Sequence, residues 1–121
     1  MASRSLVIKV TAGQDDLERC NQAFTVAATA AASGVPISLW LTGEASWYAL
    51  PGRADDVALP YAMPLAELLT TILASGTVTL CTQCASRRQI SQVDLIEGVR
   101  IAGAATFVAE SIADGAQALV Y

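Results

Sequence analysis

Apolar and polar positions along the chain follow two rhythms. Ser5-Leu-Val-Ile-Lys-Val-Thr11 is β-branched and almost continuously apolar, the pattern of a strand covered on both faces in a parallel sheet. Asp15 then offers a helix N-cap with Glu18 three residues on, an acidic variant of the capping box. Leu17, Cys20, Phe24, Ala27, Ala28 and Ala31 fall on one helical face, and Gly34-Val-Pro36 ends that helix. Ile37-Ser-Leu-Trp-Leu-Thr42 predicts a second strand. Strand, helix and strand then make a right-handed crossover with parallel strands.

From Gly43 to Met63 the period is lost, and Pro51, Gly52, Pro60 and the pair Asp55-Asp56 predict a long surface excursion. Pro64 suits the first turn of a helix whose inner stripe is Leu65, Leu68, Leu69, Ile72 and Leu73, closed by Gly76. Thr77 to Cys81 is a strand, and Ser91 with Asp94 caps a short helix that Gly98 ends. Val99-Arg-Ile-Ala102 fits either a short extended piece or a linker. Between Gly103 and Asp114 a helix places Ala105, Val108, Ala109 and Ile112 on one face, and Ala116 to Tyr121 predicts the last strand. The sum is a single α/β domain over residues 1–121: an open, mainly parallel sheet of about five strands with helices on both faces, in flavodoxin or Rossmann layering. In such a sheet the working site lies beyond the carboxyl ends of the strands. The segments Thr11 to Gln14, Gly43 to Met63 and Cys81 to Ile90 meet there.

Composition narrows the function. Hydrophobic residues are 54% of the chain and charged ones 15%, apolar enough to predict that other subunits cover part of the surface. The net charge of -4 and the lack of a basic run argue against nucleic acid. No stretch reaches the roughly 18 apolar residues of a membrane span, and Met1-Ala-Ser-Arg leads straight into a strand rather than a signal peptide. The expectation is a soluble, cytoplasmic protein. Three cysteines and no histidine make neither a disulfide framework nor an ordinary zinc site. A nucleotide fingerprint is missing too, since the first βα turn has Gly13 alone, and Asp15 and Asp16 would repel a phosphate. No cofactor or metal is expected.

What remains is sulfur chemistry. The strand Thr77-Val-Thr-Leu-Cys81 runs into Thr-Gln-Cys84-Ala-Ser-Arg87-Arg88-Gln-Ile90. A thiol at a strand end followed by cations and the start of a helix is placed where the thiolate is favoured. For Cys81 the competing reading is a buried strand-end cysteine. Cys84 is either the resolving partner of a CxxC pair or a filler, and Arg87 and Arg88 either stabilise the thiolate or form a solvated helix face. Cys20 shares a face with Leu17 and Phe24 and reads as core. Trp47 and Tyr48 are candidates for a ligand shelf or an oligomer contact.

The ordered set of features resembles the DsrE/DsrF/TusD family of small sulfur-relay proteins over nearly the whole length. It consists of the opening strand and helix, the leucine-rich helix before Gly76, Cys81-Thr-Gln-Cys84-Ala-Ser-Arg87-Arg88-Gln-Ile90, Val93-Asp-Leu-Ile-Glu-Gly98-Val99, and Ala113-Asp114 before a short strand. The resemblance implies that Cys81, six residues before an Arg-Arg pair, carries a persulfide sulfur between donor and acceptor proteins. It also implies a homo-oligomer, a trimer or hexamer among the forms the family takes. Two residues depart from the family pattern. Gln89 stands where a glycine commonly follows the arginines, and Cys84 stands where carrier subunits have a small residue. Three functions therefore stay open: a sulfur carrier or sulfurtransferase, a CxxC thiol redox protein or switch, and an oligomeric binding module without catalysis.

Overall fold

A computed structural model describes residues 4–121; Met1–Ser3, read above as leading into the first strand, lie outside the described residues. Strands β1 (Ser5–Val10), β2 (Ile37–Leu41), β3 (Thr77–Cys81), β4 (Val99–Ala102) and β5 (Ala116–Val120) form one sheet in the order β4-β3-β2-β1-β5. Every pairing is parallel. The segment Val99-Arg-Ile-Ala102, undecided between strand and linker, is therefore the edge strand β4.

The register aligns whole rows of side chains across the sheet. One row is Val99, Val78, Leu39, Ile8 and Leu119, and the next is Arg100, Thr79, Trp40, Lys9 and Val120. Successive residues of a strand point to opposite faces, so the first row lines one face and the second the other.

Helices α1 (Leu17–Ala32) and α2 (Leu65–Ser75) cover the apolar face. Cys20, Phe24, Ala27, Leu65, Leu68, Leu69 and Ile72 are buried in one cluster with Ile8, Leu39, Val78 and Leu80. The N-cap of α1 is Asp16, whose side chain accepts from the Arg19 N–H at 3.1 Å. Asp15, the expected cap, accepts from the Gly13 N–H at 2.8 Å instead. The acidic pair thus divides its work, one carboxylate closing the preceding turn and the other starting the helix.

The opposite face is covered by α4 (Ala104–Ser111), and the apolar stripe of Ala105, Val108, Ala109 and Ile112 is not its inner side. Its apolar stripe points outward, with Val108 54% and Ile112 77% exposed. Phe107 and Glu110 point inward. The Phe107 ring packs edge-on to Trp40 at 5.4 Å between centroids, and Lys9 Nζ lies 4.2 Å from the centre of that ring. Glu110 Oε1 accepts from Ser38 Oγ at 2.6 Å and from Trp40 Nε1 at 3.0 Å. Its other oxygen pairs with Arg100, which also donates to Thr79 Oγ1 at 2.7 Å. The row beneath α4 supplies donors and a cation, so a carboxylate satisfies it where a valine would leave it unpaired. Burial alone would raise the Glu110 carboxyl, but the bonds from Ser38, Trp40 and Arg100 and the Arg100 charge more than offset it and hold the group below its ordinary range.

Two connections are more ordered than their sequence suggests. The excursion after β2 opens with a 3₁₀ turn, Gly43–Ala49, whose Ala45, Ser46, Tyr48 and Ala49 are buried. The segment after Cys81 is helix α3 (Thr82–Arg87) from its first residue. The short helix expected after Ser91 is a single 3₁₀ turn, Gln92–Asp94, with a reciprocal Ser91–Asp94 capping box. Among the described residues no helix is long and apolar enough to cross a membrane.

Candidate thiol site

The topology makes a crevice at the carboxyl ends of β3 and β4. The chain leaves β3 through α3 toward the α1/α2 side, where Ala85 and Ile90 join the core cluster. It leaves β4 through α4 toward the polar side. Neighbouring strands whose connections part to opposite faces create the switch point at which open α/β sheets place their sites. Cys81 stands there as the last residue of β3, opposite Ala102, the last of β4. It is the N-cap of α3 and is half-buried, whereas Cys20 and Cys84 are buried.

Cys84 lies in the first turn of α3, and its Sγ accepts from the Gly43 N–H at 3.3 Å. That amide is held rigidly. Gly43 has φ +53°, and a Cβ there would overlap the Thr11 carbonyl; a Cβ on Gly13 would likewise overlap the Glu44 carbonyl. The turns after β1 and β2 therefore interlock main chain against main chain, which only glycine permits at this approach. Arg88, four residues after Cys84, donates from Nη1 to the Cys84 carbonyl at 3.2 Å and from Nη2 to Glu44 Oε2 at 2.8 Å. Its guanidinium lies 5.9 Å from the centre of the Trp47 ring, and that of Arg53 lies 4.8 Å from it.

Residues 4–121 match the DsrE/DsrF-like family. The chain belongs to that family. An uncharacterized protein of Methanocaldococcus jannaschii, MJ0760, is 32% identical over 104 residues, covering 85% of this chain and 38% of that protein. The chain thus spans well under half the length of this relative. Among solved structures, the YchN protein from E. coli superposes with a TM-score of 0.78 at 20% identity, covering 99% of this chain and 100% of the other. MTH1491 from Methanobacterium thermoautotrophicum, a protein of unknown function, gives 0.68 at 14% identity over 98% and 100% of the two chains. These likenesses establish the DsrE fold.

Within this DsrE-like chain the expected site residues divide into groups. Cys81, Cys84 and Arg88 gather at the crevice and its flank. Arg88 faces Glu44, and Arg87 is exposed with no acidic partner among the described residues. Trp47 is half-buried beside two guanidinium groups. Tyr48, expected at a ligand shelf or a subunit contact, is instead a core residue: its ring is buried and edge-on to Phe24 at 6.2 Å between centroids. Burial first, then the negative charges of Asp15 and Glu44, pushes its hydroxyl above the usual range. The Cys20 thiol is pushed up to about 12, by burial first and then by Asp15 and Asp16, so it stays a protonated, unreactive core group.

Gly43, Glu44 and Arg53 escaped notice in the sequence. Glu44 had a signal, being the sole acid between Glu18 and Asp55 and following directly on a strand-ending glycine. Gln89 has φ +55° at the end of α3, the left-handed conformation that favours glycine, which gives a physical reason for the glycine of the family pattern. Among the described residues, no three His, Cys, Asp or Glu side chains gather to hold a metal ion.

Proposed function

We propose that this DsrE-family chain is a sulfur carrier, with Cys81 bearing the transferred sulfur. The observation behind this reading is the placement of Cys81: of the three thiols it alone is not buried, and it stands at the switch point of the sheet. The Cys81 thiolate attacks the outer sulfur of a donor persulfide and the donor's S–S bond breaks. The donor leaves as its thiolate, and the chain holds Cys81–S–SH. An acceptor thiolate then attacks that terminal sulfur and returns Cys81 to the thiolate, so the exchange needs no outside oxidant. Arg87, exposed at the end of α3, meets the anionic donor.

The carrier works as a homo-oligomer, a trimer or hexamer. Val108, Ile112 and Val120 are exposed on a face that a single short helix covers, whereas parallel sheets are ordinarily covered on both faces. Three unpaired cysteines suit the reducing cytoplasm.

Intact-mass spectrometry after exposure to a persulfide donor tests the reading on wild type, Cys81→Ala and Cys84→Ala. A gain of one sulfur that requires Cys81 supports it. The second reading, a dithiol redox protein, draws on Cys84 three residues away in the first turn of the same helix, a spacing at which N-cap and third-position groups are neighbours. A loss of two hydrogens without added sulfur favours that reading. An unchanged mass removes both and leaves an oligomeric module with packed cysteines.

A further inference from the structure

Cys84 is seated more firmly than a filler thiol requires. Cys84 and Arg88 are four residues apart across α3 and its C-cap and share a face. They meet two consecutive residues of the turn after β2, Cys84 Sγ on the Gly43 N–H and Arg88 on the Glu44 carboxylate. Arg88 also ties back to the Cys84 carbonyl. The turn is braced against its neighbour, with Gly43 packed on the Thr11 carbonyl and Gly13 on that of Glu44. Parity puts Cys81 on the α4 face of the sheet with Thr79, while Cys84 is committed to the turn after β2. A bond to Cys81 competes with the Gly43 amide for the Cys84 sulfur.

We propose that Glu44 is a positioning residue which, through Arg88, latches Cys84 onto the Gly43 amide and so protects a sulfur carried on Cys81 from discharge. The inference rests on the carrier reading for its consequence, though the latch itself does not. In the discharge, Cys84 Sγ bonds to Cys81 Sγ and the bond from Cys81 Sγ to the terminal sulfur breaks. The Cys84 sulfur is oxidised, the terminal sulfur is reduced, and the Cys84 thiol proton leaves with it as hydrogen sulfide. The product is a Cys81–Cys84 disulfide. With the latch closed the terminal sulfur waits for an acceptor; with the latch open the same site becomes a sulfide-releasing dithiol.

Glu44→Gln removes the charge and keeps the size, and Arg88→Lys keeps the charge and removes the fork. Two readouts are taken on both, with the fold checked by circular dichroism. The first is the equilibrium between Cys81–Cys84 dithiol and disulfide in glutathione buffers, which needs no persulfide. The second is the rate of sulfide release after loading with a persulfide donor. Opening the latch is expected to favour the disulfide by about ten-fold, the worth of one good hydrogen bond, and to speed sulfide release by a similar factor. Adding Cys84→Ala abolishes the faster release. An equilibrium unchanged from wild type in both variants overturns the latch. If no protein takes up sulfur and yet the equilibrium shifts, the carrier reading falls and the latch stands as a redox control.

Discussion

The two faces of the sheet are built on opposite terms. On one, the row Val99, Val78, Leu39, Ile8 and Leu119 meets two helices and their apolar side chains. On the other, the row Arg100, Thr79, Trp40, Lys9 and Val120 meets a single helix of eight residues through a carboxylate and an aromatic edge. The first face gains its stability from area removed from water, which is non-directional. The second is held by groups that must be matched one to one, and matching them turns the apolar side of α4 outward. A face closed by polar pairing leaves apolar surface available for association.

The largest effect should come from the closed face. Phe24→Ala is expected to cost about 3–4 kcal/mol in urea unfolding, as lost burial plus a cavity. A loss near zero would mean that the α1/α2 layer is not the main core. Glu110→Ala should cost about 2 kcal/mol, because it strands the buried Trp40 indole N–H and leaves Arg100 without its partner. A smaller loss would put α4 in the class of dispensable covers. Since Glu110 titrates below its ordinary value of 4.5 in the folded state, its contribution is complete above that value and lost as the pH falls through its lower folded one. Glu110→Gln should therefore flatten the acid limb of the stability profile, and an unchanged limb would remove Glu110 as its source. Ile112→Asp should move monomer stability by no more than about 0.5 kcal/mol while shifting elution in size-exclusion chromatography to a smaller species. An unaltered elution would show that the α4 stripe is not a subunit contact.

The same contrast governs what the sequence discloses. Strands such as Thr77–Cys81 are legible because β-branched runs are bounded by glycine or turn residues, and so is the place of Cys81 at a strand end, because that strand stops at its cysteine. The orientation of α4 was not. Its periodicity identifies an apolar stripe, but the choice of inner side belongs to Ser38, Trp40 and Arg100, which lie on other strands. The Gly43–Cys84 bond joins residues 41 positions apart, and no local pattern announces it. The cap of α1 falls one residue later than the sequence predicts, because Asp15 and Asp16 are both competent and the Gly13 N–H engages Asp15. The buried place of Tyr48 followed from a 3₁₀ turn that breaks up the expected surface loop.

The two tryptophans divide along these lines as well. Trp40 is enclosed beneath α4 with its N–H bonded to Glu110, while Trp47 lies half-exposed beside the guanidinium groups of Arg53 and Arg88. The molecule therefore carries two optical probes, one screened from solvent and one open to a soluble quencher. Trp47→Phe silences the open one, leaving an emission signal that follows only the packing of α4. The difference between the two proteins' spectra then reports the arginine side of the thiol crevice without any added label.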